Sequence, residues 1–187
     1  ALGDSSSAFG TGALAEGKYA VSIGYQSRAN GANSTAVGSN ATAQLDDAVA
    51  LGDFSKVYAA GGTAIGTDAT VQLNATDATA LGKGAKANAE NAVAIGASSE
   101  AGKKNAIAIG NKARAQTEND IVIGNNAVTF GGKNGIALGD SSRVAARDSL
   151  ALGANSEIGQ QAANSVALGT NSAVLQLLGI GKAVQIK

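Results

Sequence analysis

The sequence predicts an all-β fold: a parallel β-roll solenoid of about twelve stacked 14-residue coils. Three observations lead there. First, small-aliphatic-Gly tripeptides recur at Gly10, Gly24, Gly38, Gly52, Gly66, Gly82, Gly96, Gly110, Gly124, Gly139, Gly153 and Gly169, and eight of the eleven intervals are 14 residues long. Second, the residues before each glycine alternate large and small at period two, the signature of a strand with two unlike faces. Third, alanine and glycine make up more than a third of the 187 residues, beside three Phe, three Tyr and no Trp, Met or Pro. So little bulk argues against a conventional core. Fourteen residues are too few for a helical-hairpin repeat. They suit two short strands joined by two tight turns.

The first strand of each coil ends at the repeated glycine. Immediately before it stand aliphatic residues such as Ile23, Val37, Leu51, Ile65 and Leu81, and two residues earlier Val21, Thr35, Val49, Thr63 and Thr79. A small residue separates each pair. The second strand follows the glycine. Its third position is always Ala or Ser and its fifth is small or β-branched, with Arg28, Lys56, Lys86, Glu100, Arg114, Arg143 or Glu157 often between them. That strand has a dry face and a wet one. The turns complete the coil. Asn or Asp stands five residues before the glycine in nine of eleven coils, among them Asn33, Asp47, Asn105, Asn119, Asn134 and Asp148.

Close packing favours placing the Val/Ile pairs inside the roll, against the Ala/Ser positions of the opposite strand. The outer face of the first strand is then an uncharged strip of small residues, and Ala50, Ala64, Ala80, Ala94, Ala108, Ala137, Ala151 and Ala167 are the expected interface with other copies of the chain. The reverse arrangement, alanine inside and Val/Ile toward the partner chain, is open on the same pattern. Both make the protein an obligate homo-oligomer.

With these residues in hand, the chain resembles the YadA-like head of trimeric autotransporter adhesins. The resemblance rests on Asn91-Ala92-Val93-Ala94-Ile95-Gly96, Asn105-Ala106-Ile107-Ala108-Ile109-Gly110 and Asn164-Ser165-Val166-Ala167-Leu168-Gly169. It implies a left-handed roll, assembly as a homotrimer and display on the surface of a Gram-negative bacterium. It also implies adhesion to extracellular-matrix proteins, host cells, other bacteria or surfaces. Residues 1–172 form the head repeats on this reading, and 173–187 a C-terminal cap or connector off the pattern. The chain opens mid-repeat and reads as a fragment.

Other functions fit less well. Without histidine or cysteine there is no Ser-His-Asp or Cys-His catalysis, ordinary zinc site or disulfide. No enzyme activity, cofactor, catalytic residue or metal is therefore expected. A hexapeptide-repeat acyltransferase would repeat in sixes and carry a histidine base. A calcium-binding roll would repeat Gly-Gly-x-Gly-x-Asp, and an ice-binding one would present a regular threonine array. No run approaches about 18 apolar residues, so direct membrane insertion is not expected. Fourteen basic residues balance fourteen acidic ones, so neither a nucleic-acid partner nor a generic polyanion footprint is expected. The balance is uneven along the chain, −4 over residues 1–80 and +4 over 81–187. Lys83, Lys86, Lys103, Lys104, Lys112 and Arg114 could attract an acidic ligand, though solvated surface charge that keeps the rod soluble is the favoured reading. Insertions near Asn74-Ala75-Thr76, Phe130-Gly131-Gly132 and Gly159-Gln160-Gln161 all fall in the same kind of turn and should bulge at one edge. Tyr19, Tyr25, Phe54, Tyr58 and Phe130 are expected on the surface. No ligand-binding residue is singled out. A passive spacer that presents a separate binding domain is the alternative function.

Overall fold

The computed structural model describes residues 1–176 and 184–186. It is an all-β parallel solenoid of about twelve coils. Residues Ala1–Ser98 and Ser99–Lys187 form two compact units. In the first, a front sheet runs from Ser7–Phe9 through Val21–Ile23, Thr35–Val37, Val49–Leu51, Thr63–Ile65 and Thr79–Leu81 to Val93–Ile95, and a back sheet from Leu14–Ala15 to Lys86–Ala87. Each front strand pairs in parallel with the front strand one coil away, and the three longer intervals do not disturb this: Thr63 still aligns with Thr79. The second unit repeats the plan, with front strands from Ile107–Ile109 to Val184–Ile186 and back strands from Glu100–Ala101 to Ala173–Gln176.

Both turns follow from backbone stereochemistry. After the front strand, the amide of Ala41 donates to the carbonyl of Gly38 at 3.3 Å, with Asn40 between them at φ 55°. After the back strand, the amide of Ala48 donates to Leu45, with Asp47 at φ 57°. A positive φ at the third of four residues is the type II pattern, which Gly, Asn and Asp tolerate best. Serine at the Ala/Ser position adds a second bond to the same turn, as Ser55 Oγ donates to Gly52 O at 2.8 Å and Ser156 Oγ to Gly153 O at 2.8 Å. An Asn/Asp column forms. Asn33 Nδ2 donates to Asp47 Oδ1, and Asn105, Asn119, Asn134 and Asp148 run as an unbroken ladder of amide-to-oxygen bonds of 2.7–3.1 Å.

The core corrects one expectation. Ala50, Ala64, Ala80, Ala94, Ala108, Ala137, Ala151 and Ala167 are each 0% exposed within the single chain. They line the interior of the roll and do not form an outer strip. The small residues two positions before them, such as Ala20, Ser34, Ala48 and Ala106, are buried with them. The aliphatic residues on either side of each alanine point outward. Thickness is the physical reason: two short strands tied by four-residue turns leave room for small side chains on both inner faces, and close packing is met by small against small. At two places where the back strand carries bulk, the front strand shrinks to glycine. A Cβ on Gly62 would stand 2.8 Å from Val57 Cγ1 and 2.9 Å from Val71 Cγ1, and Gly135 faces Thr129 and Val144 in the same way.

The insertions lie in the turns that lead from back to front strands. Around residue 74 the extra residues fold over a buried Ala75 and leave Leu73 63% exposed. Around residue 160 they lengthen the back strand to Glu157–Gln161, which pairs with Ala173–Gln176 through an irregular register. Beyond residue 172, Val184–Ile186 pairs in parallel with Val166–Leu168. The remainder of the stretch expected to cap or connect the roll, 177–183 and 187, lies outside the described residues.

Candidate functional site

With alanine turned inward, the front sheet presents two outward columns of larger side chains. In the first unit Ile23, Val37, Leu51, Ile65, Leu81 and Ile95 align strand to strand, beside Val21, Thr35, Val49, Thr63, Thr79 and Val93. In the second, Ile109, Ile123, Leu138, Leu152 and Leu168 align beside Ile107, Ile121, Ile136, Leu150 and Val166. Every one of these side chains is partly open to water, with Ile23, Leu81 and Leu152 at 40% and Ile123 at 43%. No charged residue enters either column. A soluble monomer rarely leaves so continuous an aliphatic face uncovered.

The other surfaces are wet. On the back sheet of the second unit, Arg143 lies over the ring of Phe130 at 4.5 Å and within 3.7 Å of Glu157. At the edge formed by the back-to-front turns, Glu118 pairs with Lys133. The hydrogen bond and charge of Lys133, with smaller contributions from Lys103 and Lys104, hold the Glu118 carboxyl below its ordinary range. Two open concavities of about 290 and 410 Å³ flank the Gly131–Gly132 turn; Lys103, Thr117 and Lys133 line one, Arg147 and Gln160 the other.

Among the described residues, one ionisable side chain is fully buried. Asp120 occupies a column otherwise filled by Ala, Ser and Gly. Its Oδ2 accepts from the Thr117 amide at 2.8 Å and from Thr129 Oγ1 at 2.6 Å, and its Oδ1 from the Gly135 amide at 2.9 Å. Thr117 Oγ1 stands between Asp120 Oδ2 at 2.7 Å and Gly132 O at 2.5 Å. The carboxylate thus ties one coil to the enlarged turn of the next. Both of its oxygens are engaged by these bonds, which fits a structural role.

The sequence-expected surface residues scatter. Tyr19, Tyr25 and Phe54 are exposed, whereas Tyr58 and Phe130 are half-buried. Lys103 and Lys104 sit in a back-to-front turn, Lys112 in the opposite turn and Arg114 on the back face, so these four do not form one patch. Among the described residues, no group of three or more acidic side chains could hold a metal ion, and no helix is long and apolar enough to cross a membrane. Sequence reasoning favoured the aliphatic columns inside the roll, and the structure turns them outward. The signal was a column that is alanine in all but two coils, Ser22 and Val122, and whose volume fits a narrow interior.

The crystal structure of the collagen-binding domain of the Yersinia adhesin YadA is similar, with 24% identity over 92% of this chain and 82% of that one, at a TM-score of 0.39. No curated protein sequence matches. The family described as YadA head domain repeat matches residues 1–27, 15–41, 29–55, 46–69, 74–99, 101–127, 131–156 and 161–173. The chain belongs to this family of adhesin head repeats, which is not an enzyme family.

Proposed function

We propose that this chain is the head of a surface adhesin of a Gram-negative bacterium, wound left-handed and assembled as a homotrimer. The observation that carries the reading is the outward aliphatic face of the front sheet. Covering it removes a long apolar surface from water, at about 25 cal/mol per Å². Aliphatic side chains aligned coil upon coil can interdigitate with those of identical chains around a closed axis. The interface role first expected of Ala50 and its equivalents thus passes to their neighbours, Val49, Leu51, Thr63 and Ile65 among them. Residues 173–187 close or connect the stack.

Extracellular-matrix proteins, host cells, other bacteria or abiotic surfaces are the targets of such a head. The back sheet and the turn edges stay in water and supply the contact surface. The test uses beads coated with this segment and plates coated with collagen, fibronectin, laminin or nothing. Saturable capture on at least one matrix protein, above capture by uncoated beads, is the expected result. Beads that bind none of them would make the segment a spacer that presents a separate binding domain.

A further inference from the structure

The zero net charge of the chain conceals a segregation within residues 1–98. The outward column of the back sheet reads Arg28, Thr42, Lys56, Thr70 and Lys86, each aligned with the next. Cation and hydroxyl alternate, and successive cations stand two strand spacings apart, about 9.6 Å. Two residues further along each coil, a second outward column carries Asn30, Gln44, Tyr58 and Gln72, with Tyr58 half-buried and the amides exposed. No carboxylate interrupts either column over these coils. The acids between Arg28 and Lys86, Asp46, Asp47, Asp53, Asp68 and Asp77, all sit in the turns, and the carboxylate nearest to these columns is Glu16, which precedes Asn30 by one coil. Arg28, Lys56 and Lys86 form no ion pair among the described residues.

Avoidance of like charges on adjacent strands accounts for the alternation alone. Solubility alone would be met by mixed signs. The equivalent column of the second unit does mix them: Glu100, Arg114, Val128, Arg143 and Glu157, with Arg143 beside Glu157. Unpaired cations at regular intervals, flanked by hydroxyls and amides on a flat sheet, complement a ligand whose negative charges recur at the same interval along a line. The interval is close to the length of one extended disaccharide unit. We infer that this face binds a linear anionic polysaccharide lying along the stack, with one carboxylate or sulfate per disaccharide on each cation. Thr42, Thr70, Gln44 and Gln72 meet its hydroxyls, and the ring of Tyr58 supports a sugar face. The inference rests on the adhesin reading, which covers the front sheet and leaves this one in water.

Chondroitin sulfate is a suitable probe, because it carries a carboxylate and a sulfate in every disaccharide. Three proteins are compared: the native chain, the triple variant Arg28→Gln, Lys56→Gln, Lys86→Gln, and the charge-matched control Lys103→Gln, Lys104→Gln, Lys112→Gln. Each is first shown to keep the native oligomeric mass and circular dichroism. At about 0.15 M salt the native chain binds chondroitin sulfate and not dextran, and affinity rises steeply up to fragments of three disaccharides. The face variant loses affinity by about tenfold or more, whereas the control stays within about twofold. Equal weakening of both variants would reduce the effect to diffuse charge attraction and overturn the inference. Absence of chondroitin sulfate binding would overturn it as well, and if matrix-coated plates still captured the beads, the adhesin reading would stand without it.

Discussion

Glycine at the end of each front strand is fixed by two independent demands. Gly38 adopts φ +135°, and a Cβ there would stand 2.4 Å from the carbonyl oxygen of Gly52 in the next coil. Backbone conformation and stacking distance both forbid a side chain. Gly38→Ala is expected to destabilise the fold by about 3 kcal/mol, read as a lowered urea midpoint. Asp120 is the opposite case, a large polar residue where neighbours are small. Asp120→Ala would strand the amides of Thr117 and Gly135 in the interior, for a loss of about 3 kcal/mol, again by urea unfolding. Asp120→Asn keeps Oδ1 for the Gly135 amide but turns a donor toward the Thr117 amide, so it should recover only part of that loss. The glycine was legible in the sequence because it repeats. Asp120 was visible only as an exception, since its partners Thr129 and Gly135 lie 9 and 15 residues away and no local pattern links them.

At the scale of the strand and its coil, period and register were readable and orientation was not. An alternation such as Val49-Ala50-Leu51 specifies two faces, but it looks the same whichever of them is buried. What decides is the gap between the sheets, which depends on turn geometry that the pattern does not state. The turn asparagines were readable for a related reason: Asn119 holds φ 58° and bonds to both Asn105 and Asn134, and its residue type serves both purposes. The narrow interior makes a direct prediction at Gly62. Gly62→Ala should cost about 1–3 kcal/mol, because its Cβ meets Val57 and Val71. In a Val57→Ala, Val71→Ala background the same substitution should cost at least about 1 kcal/mol less. Identical costs in the two backgrounds, measured by urea unfolding, would show that the two sheets do not press on each other there.

For the whole molecule, the family and the repeat were legible from residue 1 to about 174, and the expectation of a homo-oligomer followed from either orientation of the front strand. The back-sheet stripe was not legible, because its cations are 28 or 30 residues apart in sequence and only stacking brings them into line. The central claim is that the outward aliphatic columns of the front sheet are covered by identical chains. Introduction of aspartate at Leu51, Ile65 and Leu152 would place charge in that covered surface and should dissociate the assembly. The deciding measurement is sedimentation equilibrium of the native chain beside this triple variant. The account predicts three times the chain mass of 18.1 kDa for the native protein and a shift toward a single chain for the variant. A native chain that is folded, monodisperse and 18.1 kDa in solution would contradict it.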